Sequence, residues 1–189
     1  VVLKTFLRQK NIINTQNNGL TALHQAISGL QVAAVDCLIK AGHDVNIASL
    51  NKLNPVHVAC IEGSLALVKT LVENGANIFA LGTDEYSCAH MAVARSHHEI
   101  LDFLLTKGIS LYDKTSRGLS PIDLAKSSKS SALKSLIKSR IVKNADTIIT
   151  ELVVMLTSQK LPIEIVHQIL SFLVDFKSRK DLTSLNPSS

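Results

Sequence analysis

Thr21-Ala22-Leu23-His24, Asn54-Pro55-Val56-His57, Ser87-Cys88-Ala89-His90 and Ser120-Pro121-Ile122-Asp123 recur at a spacing of 33 residues. Two residues beyond each block lies a small side chain: Ala26, Ala59, Ala92 and Ala125. A second block keeps the same register, as Leu38-Ile39-Lys40-Ala41-Gly42, Leu71-Val72-Glu73-Asn74-Gly75 and Leu104-Leu105-Thr106-Lys107-Gly108. A fixed period of this size marks a chain of stacked repeats, each too small to bury its own apolar face.

One unit can be read from its residues. Thr21, Asn54, Ser87 and Ser120 sit where a helix N-cap must accept an orphan N–H. Pro55 and Pro121 follow at the first helical position, where a missing N–H costs nothing. The shared alanine lets neighbouring helices approach closely. A second helix carries apolar residues at i, i+3 and i+4: Val35, Leu38 and Ile39, then Val68, Leu71 and Val72, then Leu101, Leu104 and Leu105. Gly42, Gly75 and Gly108 end it in the usual left-handed position. The pattern predicts an all-α stack of helix, turn, helix and hairpin.

These residues resemble the ankyrin repeat, whose period and Thr-Pro-Leu-His block they share. The resemblance covers residues 1–140: a partial repeat at 1–13, full repeats at 14–46, 47–79 and 80–112, and a degenerate terminal repeat at 113–140. In the partial repeat, Phe6 and Leu7 fall on the apolar positions and Ile12-Ile13-Asn14 matches Asp44-Val45-Asn46, so the array is expected to begin upstream of Val1. The terminal repeat departs from the pattern. Asp123 replaces histidine, Ile141 stands where glycine is expected, and 126–131 is polar. Residues 141–189 are expected to form a helical C-terminal extension.

Composition agrees with an all-α solenoid and excludes several classes. Hydrophobic residues make up 46% and aromatic ones only 4%, so the core is built from Leu, Ile, Val and Ala. No apolar run reaches the roughly 18 residues of a membrane span, and no secretory pattern opens the chain. Three cysteines, Cys37, Cys60 and Cys88, exclude a disulfide scaffold and point to a reducing, cytoplasmic setting. The positive charge lies mainly on Lys126, Lys129, Lys134, Lys138, Arg140 and Lys143. Without interleaved aromatics it reads as a solvated cap, so no nucleic-acid partner is expected.

No catalytic or cofactor motif is present. The chain has no HxxxH or CxxC, no Walker loop, no GxGxxG and no GxSxG, so neither metal, cofactor nor enzyme is expected. The resemblance implies that His24, His57 and His90 hydrogen-bond backbone between adjacent hairpins. His97 and His98, at a helix–helix turn, are expected to be solvated. The cysteines fall at apolar or small-residue positions of helices, where free Cys behaves as a small hydrophobe.

The resemblance further implies a monomeric protein-binding module whose concave face is formed by hairpin tips and first helices. Its register places Leu50, Leu53, Asp84, Tyr86 and Arg117 at tips, and Ile61, Glu62 and Arg95 on first helices. Leu50, Leu53, Ile61 and Tyr86 are apolar where water is expected, which is the composition of an interaction patch. Asp44-Val45-Asn46, with Leu38 eight residues before the asparagine, resembles the acceptor pattern for asparaginyl hydroxylation and makes Asn46 a candidate.

Beyond Arg140 the register fails. Asn144 to Leu156 is predicted as a helix with Ile148, Ile149, Leu152, Val153 and Leu156 on its apolar face. From Leu161 the chain reads Leu161-Pro162-Ile163-Glu164-Ile165, followed by Ile169, Leu170 and Leu173. This block resembles the first helix of an F-box and the PRANC module of poxviral and intracellular-bacterial ankyrin effectors. It implies that Leu161, Pro162, Glu164, Ile165, Ile169, Leu170 and Leu173 dock on the F-box adaptor of a cullin-RING ubiquitin ligase. Two functions follow. One is an adaptor that links a bound target to the ligase; the other is a scaffold or sequestering protein whose C-terminal helices only cap the stack.

Overall fold

A computed structural model describes residues 19–158, together with the two helical positions 168 and 171. Among these residues are eight α-helices and no sheet. They are α1 (Ala22–Ser28), α2 (Val32–Lys40), α3 (Pro55–Glu62), α4 (Leu65–Glu73), α5 (Cys88–Ala94), α6 (His98–Thr106), α7 (Pro121–Ser127) and α8 (Ser131–Ser158). The chain divides into two compact units, Val1–Ala125 and Lys126–Ser189.

In the first unit each repeat supplies one helix pair. The first helices α1, α3 and α5 pack in sequence, each against its own second helix, and α2, α4 and α6 form a parallel row behind. Ala59 and Ala92 have no exposed surface, so neighbouring first helices meet at backbone distance. Val35, Val68 and Leu101 are completely buried, as are Leu71 and Leu104. The third predicted position, Ile39, Val72 or Leu105, is only half-buried. Leu67 and Ile100, one residue before Val68 and Leu101, take the inner place instead. The apolar stripe is therefore rotated slightly from the one the sequence suggests, because Cβ atoms lean toward the N-terminus of their helix.

Three left-handed positions recur at a spacing of 33 residues, and the terminal repeat keeps only the first. The hairpin tip uses Gly19, Lys52, Glu85 and Gly118, and the turn between the paired helices uses Leu30, Gly63 and Ser96. Gly42, Gly75 and Gly108 end the second helices with φ of 96°, 85° and 85°. A Cβ at these last three sites would meet nothing within 4 Å, so the backbone conformation, not space, selects glycine there.

In the second unit the helix continues where a stop is expected. Ser130 caps α8, its hydroxyl accepting from the Leu133 N–H at 3.3 Å. From there α8 runs for 28 residues without interruption through Arg140 and Ile141. No glycine or proline lies within it, and isoleucine in the usual glycine position cannot turn the chain left-handed at low cost. The second helix of the terminal repeat and the helix predicted from Asn144 are one element. Among its described side chains, Leu133 and Ile137 are fully buried.

Candidate protein-binding surface

The surface begins with the caps that fix each first helix. The backbone N–H groups of Thr21, Asn54 and Ser87 donate to Nδ1 of His24, His57 and His90 at 3.3, 3.1 and 3.1 Å. A backbone N–H can only donate, so Nδ1 is unprotonated and the proton lies on Nε2. That N–H reaches into the next repeat, donating to the carbonyls of Leu53 at 2.9 Å, Ala80 at 3.0 Å and Leu119 at 3.1 Å. All three imidazoles are fully buried. Each one therefore closes its own helix and staples the following hairpin.

Burial pushes His24 and His90 below the ordinary imidazole value, outweighing the carbonyls of Leu53 and Leu119. Burial also pulls on His57, but contact with the Cys88 thiol and the Ala80 carbonyl outweighs it and holds the group above that value. A hydrogen bond from Cys60 lowers the Cys88 thiol to about 6 against its burial, and the same bond with burial raises Cys60. Both thiols lack any exposed surface, so neither is open to reagents. Cys37, expected at an apolar helix position, is instead exposed on α2.

Asp123 keeps half of the histidine arrangement. Its Oδ2 accepts from the Ser120 N–H at 3.1 Å and from the Ser120 hydroxyl at 2.7 Å. A carboxylate has no N–H to send onward. His97 shows the converse surprise. Far from solvated, it is half-buried and its Nε2 donates to the Ile61 carbonyl at 3.1 Å. Its ring lies 2.4 Å from where a Cβ on Gly63 would stand, so it occupies the space that Gly63 leaves. The signal was a glycine one repeat earlier in the left-handed turn. His98 is exposed, as expected.

The hairpins form a second ladder. Ser49, Gly82 and Thr115 each close a tip by donating to the carbonyl of Leu53, Tyr86 or Leu119 at 2.9 Å. Successive tips are joined by Leu50 N–H to Gly19 O at 3.1 Å and Ser116 N–H to Asp84 O at 3.1 Å. The Thr83 hydroxyl also donates to the Asn51 carbonyl. Arg117 pairs with Asp84 at 2.8 Å across neighbouring tips. Asn46 adds a link lower down: its Nδ2 donates to Gly75 O at 3.0 Å and its Oδ1 accepts from Asn77 N–H at 2.7 Å. The hydroxylation candidate is thus exposed but tied into the next repeat at both ends of its amide.

On this scaffold the expected binding residues divide. Leu50 is 77% exposed, and Glu62, Asp84, Arg95 and Arg117 are exposed. Leu53, Ile61 and Tyr86 are only half-buried, not open to water as expected. Leu53 lies over Gly82, its Cδ2 2.9 Å from the position of a Cβ there. The Tyr86 ring tilts at 57° against the His90 imidazole, with centroids 5.3 Å apart. Leu53 is thus covered by the hairpin of the next repeat, whereas Tyr86 packs against a histidine of its own repeat. Exposed apolar residues not foreseen include Phe79 at 61%, Tyr112 at 60% and Leu81 at 54%. Phe79 and Tyr112 share the register of Asn46, which is the signal that could have found them.

The ligase-docking residues Leu161, Pro162, Glu164, Ile165, Ile169, Leu170 and Leu173 lie outside the described residues. Between them, Gln168 and Ser171 are helical and exposed. Among the described residues no group of three or more His, Cys, Asp or Glu side chains could hold a metal. No described helix is long and apolar enough to cross a membrane.

Residues 2–81 match the family model for ankyrin repeats (3 copies). Mouse NF-kappa-B inhibitor alpha is 30% identical over 103 residues, which are 51% of this chain and 33% of that protein. Mouse RelA-associated inhibitor is 44% identical over 62 residues, 33% of this chain and 8% of that protein. Alpha-latrocrustotoxin-Lt1a of Latrodectus tredecimguttatus is 28% identical over 117 residues, 61% of this chain and 8% of that protein. The chain therefore spans a third or less of the length of these relatives. Their likeness is one of repeats, and such repeats are typically non-catalytic modules that mediate protein–protein interaction.

Proposed function

Starting from an ankyrin-repeat solenoid, we propose that the chain holds a target protein on the face made by its hairpin tips and first helices. The observation that carries this is the row of exposed, chemically mixed side chains on a doubly stapled backbone. Leu50, Glu62, Asp84, Arg95 and Arg117 stand outward while histidines and tip ladders fix the chain beneath them. A surface already ordered before binding loses little further freedom when a partner arrives. Leu50 supplies the apolar anchor, and the two arginines supply the planar, directional hydrogen bonding that dominates many interfaces.

The proposal extends to the C-terminal segment, where the F-box-like residues Leu161, Pro162, Glu164, Ile165, Ile169, Leu170 and Leu173 would bring the bound target to a cullin-RING ligase. A second reading, a sequestering scaffold, is favoured by the two relatives whose names describe inhibitors. One capture experiment separates them. Leu50→Ala with Arg95→Ala should lose the main captured protein while the urea midpoint stays put. Purified F-box adaptor should bind the wild-type chain, and Leu161→Ala with Pro162→Ala should weaken it at least tenfold, about 1.4 kcal/mol. Unchanged capture removes the binding face. Target binding without adaptor binding at micromolar concentration leaves the sequestering scaffold.

A further inference from the structure

An acid and an arginine recur one repeat apart at two places in the first unit. Asp84 and Arg117 occupy equivalent hairpin tips, 33 residues apart, and close an ion pair at 2.8 Å. Glu62 and Arg95 stand in the same relation at the C-terminal ends of α3 and α5. Both are exposed, and among the described residues neither makes an ion pair. One pair is closed within the stack; the other is left open.

Glu62 is also poorly placed for the fold. It is the last residue of α3, where the negative end of the helix dipole opposes a carboxylate. Arg95 caps α5, where the same dipole favours a cation. A charge that the fold disfavours and does not pair is open to a partner.

The spacing selects that partner. α3 and α5 pack directly, and Ala59 and Ala92 on them have no exposed surface. Helices in such contact lie about 8–10 Å apart. One turn before each charge, on the same helix face, stand Val58 and Met91. Val58 is 7% exposed and Met91 half-buried, so the two charges rise beside an apolar floor.

Resting on the binding face put forward above, we propose that Glu62 and Arg95 receive a partner α-helix laid along the stack. It sets a basic side chain on Glu62 and, seven residues away, an acidic one on Arg95. Along a helix, i and i+7 are about 10.5 Å apart and only about 20° apart around the axis. Positions i+3 and i+4 fall between them on the same face, where an apolar side chain meets Met91. An extended strand presents same-side residues at about 6.6 or 13.2 Å, which bracket the required spacing without meeting it. Polyproline II returns to one side after about 9.3 Å but places nothing between its two contacts. A polyanion gains at Arg95 and is repelled at Glu62.

The test titrates the isotope-labelled full chain with a peptide and reads amide chemical shifts. The peptide is alanine-rich and about 18 residues long, so that it holds a helix. It carries Lys at i, Leu at i+3 and i+4, and Glu at i+7. Shifts should cluster on α3 and α5. Moving the glutamate to i+9 puts it on the opposite side of the peptide helix. With the composition unchanged, binding should weaken about two- to fivefold, the worth of one exposed ion pair. Glu62→Lys should come to prefer a peptide with Glu at both positions, and Arg95→Glu one with Lys at both, each by at least about threefold. A gained preference excludes a folding defect. Glu62→Lys should leave the urea midpoint unchanged or raised. No binding of the first peptide, equal binding of the i+9 peptide, an unchanged preference in either variant, or a lower midpoint in Glu62→Lys would each overturn the proposal. So would tighter binding of a proline-rich peptide with the same charges three residues apart. Capture from cell lysate that Leu50→Ala removes but Glu62→Lys leaves intact would overturn the helix pairing and keep the binding face. Capture indifferent to both would overturn the face as well.

Discussion

The histidine-bearing repeats and the terminal one begin their first helices in the same way and then diverge. In His24, His57 and His90 one nitrogen accepts from the N-cap backbone and the other donates across to the next hairpin. In the terminal repeat Asp123 accepts from Ser120 just as well. The cap needs only an acceptor on the third helical residue; the staple needs a donor on its far side. An imidazole is the side chain that carries both at once. The comparison separates two contributions that the recurring four-residue block presents as one, and it shows the histidine as a stacking residue.

Removing the side chain should therefore cost different amounts in the two places. His57→Ala strips the partner from the Asn54 N–H and from the Ala80 carbonyl and opens a hole where nothing is exposed. Each buried polar group left unpaired costs about 1–3 kcal/mol, so a loss of about 3 kcal/mol is expected. Asp123→Ala removes the cap of α7, worth about 1 kcal/mol. Urea denaturation of both variants checks the difference. Equal losses would mean that the cross-repeat bond adds nothing beyond the cap.

The same contrast shows what sequence could reveal. Periodic caps, buried alanines and terminal glycines announced the solenoid, because each answers a fixed need of the backbone or of close helix packing and recurs from repeat to repeat. His97 was assigned to solvent because it occurs once, at the N-cap of a single second helix, and its role depends on Gly63 one repeat earlier. Leu53 and Tyr86 were assigned outward from register alone. The partial burial of Leu53 comes with the following repeat, where it lies over Gly82, a tertiary effect that no single unit encodes. The continuity of α8 was readable in principle, since nothing between Ser131 and Ser158 stops a helix. The lost 33-residue register drew the boundary at Arg140 instead.

A second experiment sharpens the comparison at the turn between paired helices, where Leu30, Gly63 and Ser96 share a left-handed backbone. Gly63→Ala adds a Cβ at φ 79° and drives it into His97, whose bond to Ile61 must break. The left-handed penalty of about 1–2 kcal/mol and one lost hydrogen bond of about 1 kcal/mol make about 2 kcal/mol. Leu30→Gly and Ser96→Gly run the other way. Relief of backbone strain, reduced by the freer unfolded chain, should gain about 0.5 kcal/mol each. A stability loss at Leu30 would show that its side chain, though 52% exposed, matters more than its backbone.

The smallest effect comes from titrating the staples instead of deleting them. Protonation puts a hydrogen on Nδ1, where the N-cap N–H already points, but leaves the Nε2 bond intact. It breaks one of the two bonds that an alanine removes. His24 and His90 have folded values depressed by burial below 6.5. The unfolded chain therefore takes up protons first as the pH falls. Their stabilisation is complete above 6.5 and is lost as the pH drops from there toward the depressed folded values. His57, held above 6.5 by Cys88 and the Ala80 carbonyl, acts in the opposite sense and only on the alkaline side of that value. The window below 6.5 thus excludes His57 and leaves His24 and His90, together with His43, which burial also depresses. The urea midpoint should fall as pH is lowered through that window, and the double variant His24→Gln with His90→Gln should show a flatter profile from a lower starting stability. An identical slope in the double variant would assign the acid sensitivity to other groups and leave the two imidazoles as neutral staples throughout.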